Sequence, residues 1–379
     1  MKKKVAVITC HWGDDNDDRA SAMRLISGAA SRNFTVEIIH LNENISRYTI
    51  VKDSVFTVHR LPVADRNSLR SDLIKVALAS YDNGRKIPGV AAETIAAYDG
   101  KALFVTEALT KISPDVILLG GLEQLYDVSE LHRIAATKPT KIIALPVMNE
   151  LTTEFTENQL EMLRTANIIA ALSPGEENLL KSYFPNKVTS LHIAFNINRH
   201  AAKNMLFGVR YFNKYVLLIR SFPPSTQRFS RSLTHEVLKT AIEPFSVAEV
   251  DNEQWRISDD QNTLKLPVSA SRVNLWRLMA HAQLTVDLRP PRPLGREAIE
   301  SMLLGTPVIV HRNSIAYEHV KAANGGFWYS DYCELIQTIR IALDPTMNTK
   351  LRNSASEYSK LYHGDSTKFI EEIQDLFLN

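Results

Sequence analysis

Residues 289–310, RPPRPLGREAIESMLLGTPVIV, decide how the chain is read. An apolar strand at 284–288 runs into this stretch, and Pro290, Pro291 and Pro293 stiffen the loop that follows. Gly295 then permits close backbone approach just before a helix predicted over 296–304, which Gly305 ends. Pro307 opens the next apolar strand, to Val310. A helix start aimed past the end of a strand offers unpaired amides with partial positive charge, a ready site for an anion. Ile299, Met302 and Leu303 make the buried stripe of this helix, and Glu300 lies beside it with Glu297 and Arg296 nearby. A carboxylate at Glu300 can accept two hydrogen bonds from a ribose diol. The alternative is a capped surface helix whose charges are solvated.

Outward from this stretch the chain alternates strand and helix. Continuous apolar runs at 5–8, 35–41, 115–119, 141–145 and 167–171 read as strands buried on both faces. Helices are predicted over 19–31, capped by Asp17 or Asp18, and over 156–165 and 174–183. The pattern lapses between 195 and 213, which reads as a connection between domains. It resumes with a strand at 215–219, a helix at 233–242 stopped by Pro244, and a helix at 271–283. Strands alternating with helices predict parallel sheets covered on both sides, here in two α/β domains facing each other across a cleft.

Composition agrees with a two-domain globular protein. The chain has 379 residues, 45% hydrophobic and 23% charged, which excludes disordered, collagen-like and coiled-coil classes. Lys+Arg 44 against Asp+Glu 42 leaves a net charge of +2, so no global field recruits nucleic acid or a membrane. Cys10 and Cys333 form neither a disulfide framework nor a metal-ligand spacing. No apolar run approaches the ~18 residues that cross a bilayer, and the run after Lys2-Lys3-Lys4 is too short for a signal peptide. The expected location is cytoplasmic.

The loop after the first strand carries Gly13, flanked by His11 and by Asp14, Asp15, Asp17 and Asp18. His11 sits where it can reach the cleft, or serves a structural role. The aspartates read as a solvated loop with one helix cap, so no metal is expected. There is no Walker motif, no GxGxxG fingerprint and no spacing for Ser-His-Asp chemistry.

Leu294-Gly295-Arg296-Glu297-Ala298-Ile299-Glu300-Ser301-Met302, followed by Gly305-Thr306-Pro307-Val308-Ile309, resembles the donor-binding signature of family 4 glycosyltransferases with the GT-B fold. Residues 19–41, 166–173 and 318–331, with Gly325-Gly326, are similar to further segments of that family in the same order. The resemblance implies two Rossmann-like domains: 1–200 on the acceptor side and 201–362 on the donor-nucleotide side. Residues 363–379 would form a helix packing back toward the first. It implies a retaining transfer of sugar from a nucleotide diphosphate donor to a hydroxyl acceptor, without metal or cofactor, and with peripheral membrane contact if the acceptor is a lipid. Arg220 and Arg228 (or Arg231) would serve the diphosphate, and Arg292, standing where the family has a glutamate, would bind donor phosphate or an acidic sugar. Gly13, Leu294, Gly295, Arg296 and Glu300 would bind donor. His11, Asn149 and Glu150 would lie on the acceptor side, no histidine following residue 145 where relatives carry one. The competing expectation is a binding or scaffold protein of the same fold that has lost the chemistry.

Overall fold

The computed structural model describes residues 2–12, 18–42, 45, 47–63, 104–122, 131, 134–135, 137–148, 155–204, 214–219, 242, 245–250, 255–258, 263–266, 272–289 and 294–378. The first part of the chain runs β1 (Lys4–Thr9), α1 (Asp18–Ala30), β2 (Thr35–Asn42), β3 (Thr49–Asp53), β4 (Phe56–Pro62), α2 (Val105–Ile112), β5 (Val116–Gly120), β6 (Lys141–Leu145), α3 (Glu157–Thr165), β7 (Ile168–Ala171), α4 (Pro174–Tyr183) and β8 (Val188–Ser190). These strands form one eight-stranded sheet in the order β3-β4-β2-β1-β5-β6-β7-β8.

After α5 (Arg199–Lys203) a second sheet begins. Its elements are β9 (Tyr215–Ile219), β10 (Ser246–Val250), β11 (Trp255–Ser258), β12 (Thr263–Leu266), α6 (Arg272–His281), β13 (Leu284–Asp287), α7 (Arg296–Leu303), β14 (Val308–His311), α8 (Ile315–Ala323) and β15 (Gly326–Tyr329). Three helices follow: α9 (Tyr332–Leu343), α10 (Pro345–His363) and α11 (Ser366–Leu378). The second sheet has the order β12-β11-β10-β9-β13-β14-β15. The architecture is therefore α/β with two doubly wound sheets.

The parallel strands are apolar on both faces, as expected, because helices cover each face. Val5, Val7, Ile38, Val116, Leu118 and Ile143 face Met23 and Ile26 of α1 and Ile373 and Phe377 of α11. The alternate residues Ala6, Ile8, Ile39, Ile117 and Leu119 face Leu109 of α2 and Leu163 of α3. In the second sheet Leu217 and Ile219 pack on Leu278 of α6, while Val216, Leu218 and Val286 pack on Leu335 and Ile339 of α9.

The margins differ from the expectation of all-parallel sheets. β3 pairs antiparallel with β4, and β11 pairs antiparallel with both β10 and β12. Such short margin strands lack the long apolar run that marks a central parallel strand. The sequence reading passes over β3, β8 and β10–β12 for this reason, and over the seven-residue β4 because Thr57, His59 and Arg60 interrupt its apolar run. Its helix at 233–242 falls, save for Ile242, outside the described residues.

Outgoing and returning segments run side by side, with the Phe195 amide donating to the His363 carbonyl at 3.0 Å. Beyond this point α11 lies on the first sheet. Phe377 meets Phe34 edge-on at 5.3 Å between ring centres, and Lys141 Nζ donates to the Leu376 carbonyl. Leu294, Ile299 and Leu303, at the start and along α7, join the same apolar cluster as Met23, Val147 and Phe195. Helix α7 thus belongs to the second sheet by connection and shares the first sheet's core.

Candidate active site

The order of the second sheet reverses between β9 and β13, and in open α/β sheets ligands bind beyond the carboxyl ends of strands at such a point. There the backbone turns sharply. Leu294 and Gly295 both have positive φ, 70° and 58°, and this turn delivers the chain into α7. Glycine is required at 295 on two counts. Its φ suits a residue without Cβ, and a Cβ there would stand 2.7 Å from the Ala316 Cα.

That close approach brings the starts of α7 and α8 together. Gly295 precedes α7 and Ser314 precedes α8, and neither provides a capping side chain. By contrast Thr156, Ser173, Asn198, Asp331 and Asp344 cap α3, α4, α5, α9 and α10 through their side chains. Two uncapped helix starts therefore border one recess, which Asp287 and His311 complete from the ends of β13 and β14. The Tyr317 amide donates to the Ser314 carbonyl at 3.0 Å, and the remaining first-turn amides of both helices have no intrahelical acceptor, so the recess favours an anionic or strongly accepting group.

Behind the recess lies a buried ionic network. Arg289 donates from Nε and Nη2 to both oxygens of Asp287 at 2.8 and 2.6 Å, and from Nη2 to Glu297 Oε2 at 2.8 Å. Arg272, at the start of α6, donates from Nη1 to Glu297 Oε1 at 2.8 Å and from Nε to Glu300 Oε1 at 3.1 Å. Arg296 Nε shares that Glu300 oxygen at 2.9 Å. Glu300 Oε2 lies 2.6 Å from Arg272 Nη2, a charge contact without hydrogen-bond alignment. Burial alone would push the Glu297 carboxyl up, but Arg289 and Arg272 outweigh it and hold Glu297 well below the usual carboxylate range. The same carboxylates raise both guanidinium groups against the opposing effect of burial. Arg272, Arg289 and Arg296 balance Asp287, Glu297 and Glu300, so these arginines are largely spent on internal carboxylates.

Of the residues singled out in the sequence, Leu294, Gly295, Arg296 and Glu300 come together here. Glu300 is 0% exposed and Glu297 4%, whereas a surface helix would leave them solvated. The reason is the arrival of Arg272 and Arg289 from other elements, which neutralise them. Arg296 has a further part: its guanidinium donates to Ser21 Oγ on α1 and lies 5.7 Å over the Phe195 ring.

His11 sits at the carboxyl edge of the first sheet, half-buried, with its Nε2 accepting from Arg19 at 2.9 Å. Gly13, Asn149, Glu150, Arg220, Arg228, Arg231 and Arg292 lie outside the described residues. Near the loop after β6, Glu176 is buried and accepts from the amides of Met148 and Leu172, each at 2.7 Å. Burial pushes its carboxyl up, against the opposing effect of these amides and that of Ser173.

Arg272, Asp287, Arg289, His311 and Ser314 are site residues that the sequence reading does not single out. Asp287-x-Arg289 at a strand end is a local cue for a carboxylate–guanidinium pair. Arg272 carries none, because its partners lie 25 and 28 residues away. Among the described residues no three His, Cys, Asp or Glu side chains converge as metal ligands.

No protein-family model and no curated protein matches the chain. Solved structures match over the whole length. Sucrose-phosphate synthase from Thermosynechococcus elongatus superposes with a TM-score of 0.63 at 14% identity, covering 99% of this chain and 98% of that one. The fold is GT-B. Two further GT-B structures are similar. Anabaena HepE, in complex with UDP and glucose, gives a TM-score of 0.58 at 13% identity, with 99% of each chain covered. The UDP-GlcNAc 2-epimerase of Methanocaldococcus jannaschii gives 0.55 at 15% identity, with 100% of each covered. No described helix is long and apolar enough to cross a membrane.

Proposed function

We propose that the protein is a glycosyltransferase that moves a sugar from a nucleotide diphosphate donor onto a hydroxyl acceptor, with retention and without a metal or cofactor. The observation that carries this reading is the meeting of two uncapped helix starts with the Glu300 carboxylate behind them, at the carboxyl edge of the second sheet. The diphosphate would lie over the amides of α7 and α8, which stabilise the charge developing on the leaving group. Glu300 would take the ribose hydroxyls through Oε2, which has no aligned donor. Arg272, with 28% of its side chain exposed, would give way as the nucleotide enters. Arg220, Arg228 and Arg292 would add the cations that the internal network does not spare. The acceptor would lie toward His11, Asn149 and Glu150, in a cytoplasmic setting. HepE in complex with UDP and glucose supports a uridine nucleotide as the first donor to try.

One observation favours a second reading, a binding protein without turnover: Glu300 is fully buried and already paired with two arginines. Incubating the purified protein with UDP-glucose and other nucleotide sugars, and following sugar release or transfer by NMR, separates the two. Turnover supports the transferase. Binding of the nucleotide without turnover supports the second reading, and absence of binding sinks both.

A further inference from the structure

The arginines of the network are committed to Asp287, Glu297 and Glu300, so the side-chain donors left at the recess are few. His311 is one. It ends β14 and lines the recess together with Asp287. The Asn313 amide donates to its Nδ1 at 3.2 Å, which places the proton of the neutral ring on Nε2. Among the described residues nothing pairs with that Nε2. Two contacts hold the ring, the Asn313 amide and Tyr329, and a third holds its backbone. Tyr329, directly across the parallel β14–β15 pair, meets it edge-on at 5.2 Å and 89°. Tyr329 is anchored in turn by its hydroxyl, which donates to the Asp287 carbonyl at 3.3 Å. Ser314, the residue before α8, donates from Oγ to the His311 carbonyl at 2.8 Å and ties the histidine to the start of that helix.

A fixed ring with one occupied nitrogen and one free N–H, beside two uncapped helix starts, is a preorganised donor. We propose that His311 binds a diphosphate oxygen of the nucleotide donor through Nε2–H and so selects for nucleoside diphosphates over nucleosides. This rests on the nucleotide-sugar reading above. The role is binding and orientation, since a group that donates from a neutral ring adds no charge of its own.

The test is calorimetric titration of the full chain and of His311→Ala and His311→Gln with UDP and with uridine. His311→Ala is expected to bind UDP about tenfold more weakly with uridine affinity unchanged, and His311→Gln, which keeps an N–H donor, to stay within about threefold of the parent. Equal UDP affinity in parent and His311→Ala overturns the assignment, as does an equal loss for UDP and uridine, which marks a merely structural role. If the parent binds uridine and UDP alike, the His311 selection fails while a nucleotide site stands. If it binds no nucleoside diphosphate, including ADP and GDP, the functional reading fails and the His311 assignment with it.

Discussion

Arg272 holds Glu300 from 28 residues upstream, donating from Nε to Oε1 at 3.1 Å and bringing Nη2 within 2.6 Å of Oε2. Glu300 therefore has a structural task as well as a proposed binding one. Glu300→Ala leaves Arg272 and Arg296 facing a buried void, and breaking one side of a buried pair costs about 3–5 kcal/mol. Urea unfolding is expected to show that loss. Glu300→Gln, which keeps the side-chain carbonyl acceptor, should lose less. A Glu300→Ala midpoint equal to the parent's would mean that the network carries no stability.

Gly295 links the fold and the site. Gly295→Ala forces a Cβ to 2.7 Å from the Ala316 Cα at a positive φ, so α7 and α8 must separate. The left-handed backbone alone costs an alanine about 1–2 kcal/mol, and the contact adds to it. Thermal unfolding should fall by several degrees, and nucleotide affinity should fall with it. Unchanged affinity in a folded variant would detach the recess from binding.

Acid should weaken the junction where the chain passes between its two sheets. His363 is fully buried there, with His319 at 5.2 Å and His192 at 6.3 Å between ring centres. Tyr358 and Tyr362 flank the group, and Glu372 of α11 lies 3.6 Å from His192. Burial lowers His363 to about 4, against its bond to the Ile193 carbonyl, and lowers His319 well below its ordinary value. A folded-state value below the unfolded 6.5 means that the unfolded chain takes up the proton first. The contribution of neutral His363 is therefore complete above about pH 6.5 and is lost as pH falls toward 4, by up to ~1.4 kcal/mol per pH unit. Denaturation midpoints measured from pH 7.5 to 4.5 should drop more steeply for the parent than for His363→Gln. Parallel curves would contradict this account.

Much of the fold was legible because central parallel strands are apolar without interruption, as in Val5-Ala6-Val7-Ile8 and Tyr215-Val216-Leu217-Leu218-Ile219. The turn into α7 was legible too, through Gly295 following Pro290, Pro291 and Pro293 in the sequence. The margin strands were not. β3 alternates between half-buried and exposed residues, and β8 has three residues, too few to show a period. Within the site, Glu300 was found and its surroundings were not. Burial of Glu297 and Glu300 depends on Arg272 and Arg289, partners brought by tertiary packing, and no spacing in the sequence announces such a meeting. His311 escaped notice for a related reason: a polar residue at a strand end acquires a role only when Tyr329 and Asn313 fix its ring.

The central claim is that the starts of α7 and α8 bind the diphosphate of a nucleotide, and Ser314→Asp tests it most directly. An aspartate before α8 supplies the missing cap, worth about 0.5–2 kcal/mol relative to an uncapped start, so the variant should be as stable as the parent or more so. The same carboxylate occupies the amides and sets a negative charge where the diphosphate would lie. Titration with UDP, next to a thermal unfolding scan, should therefore show UDP affinity reduced tenfold or more while the unfolding temperature holds or rises. A Ser314→Asp protein that keeps its fold and binds UDP as tightly as the parent would contradict the claim.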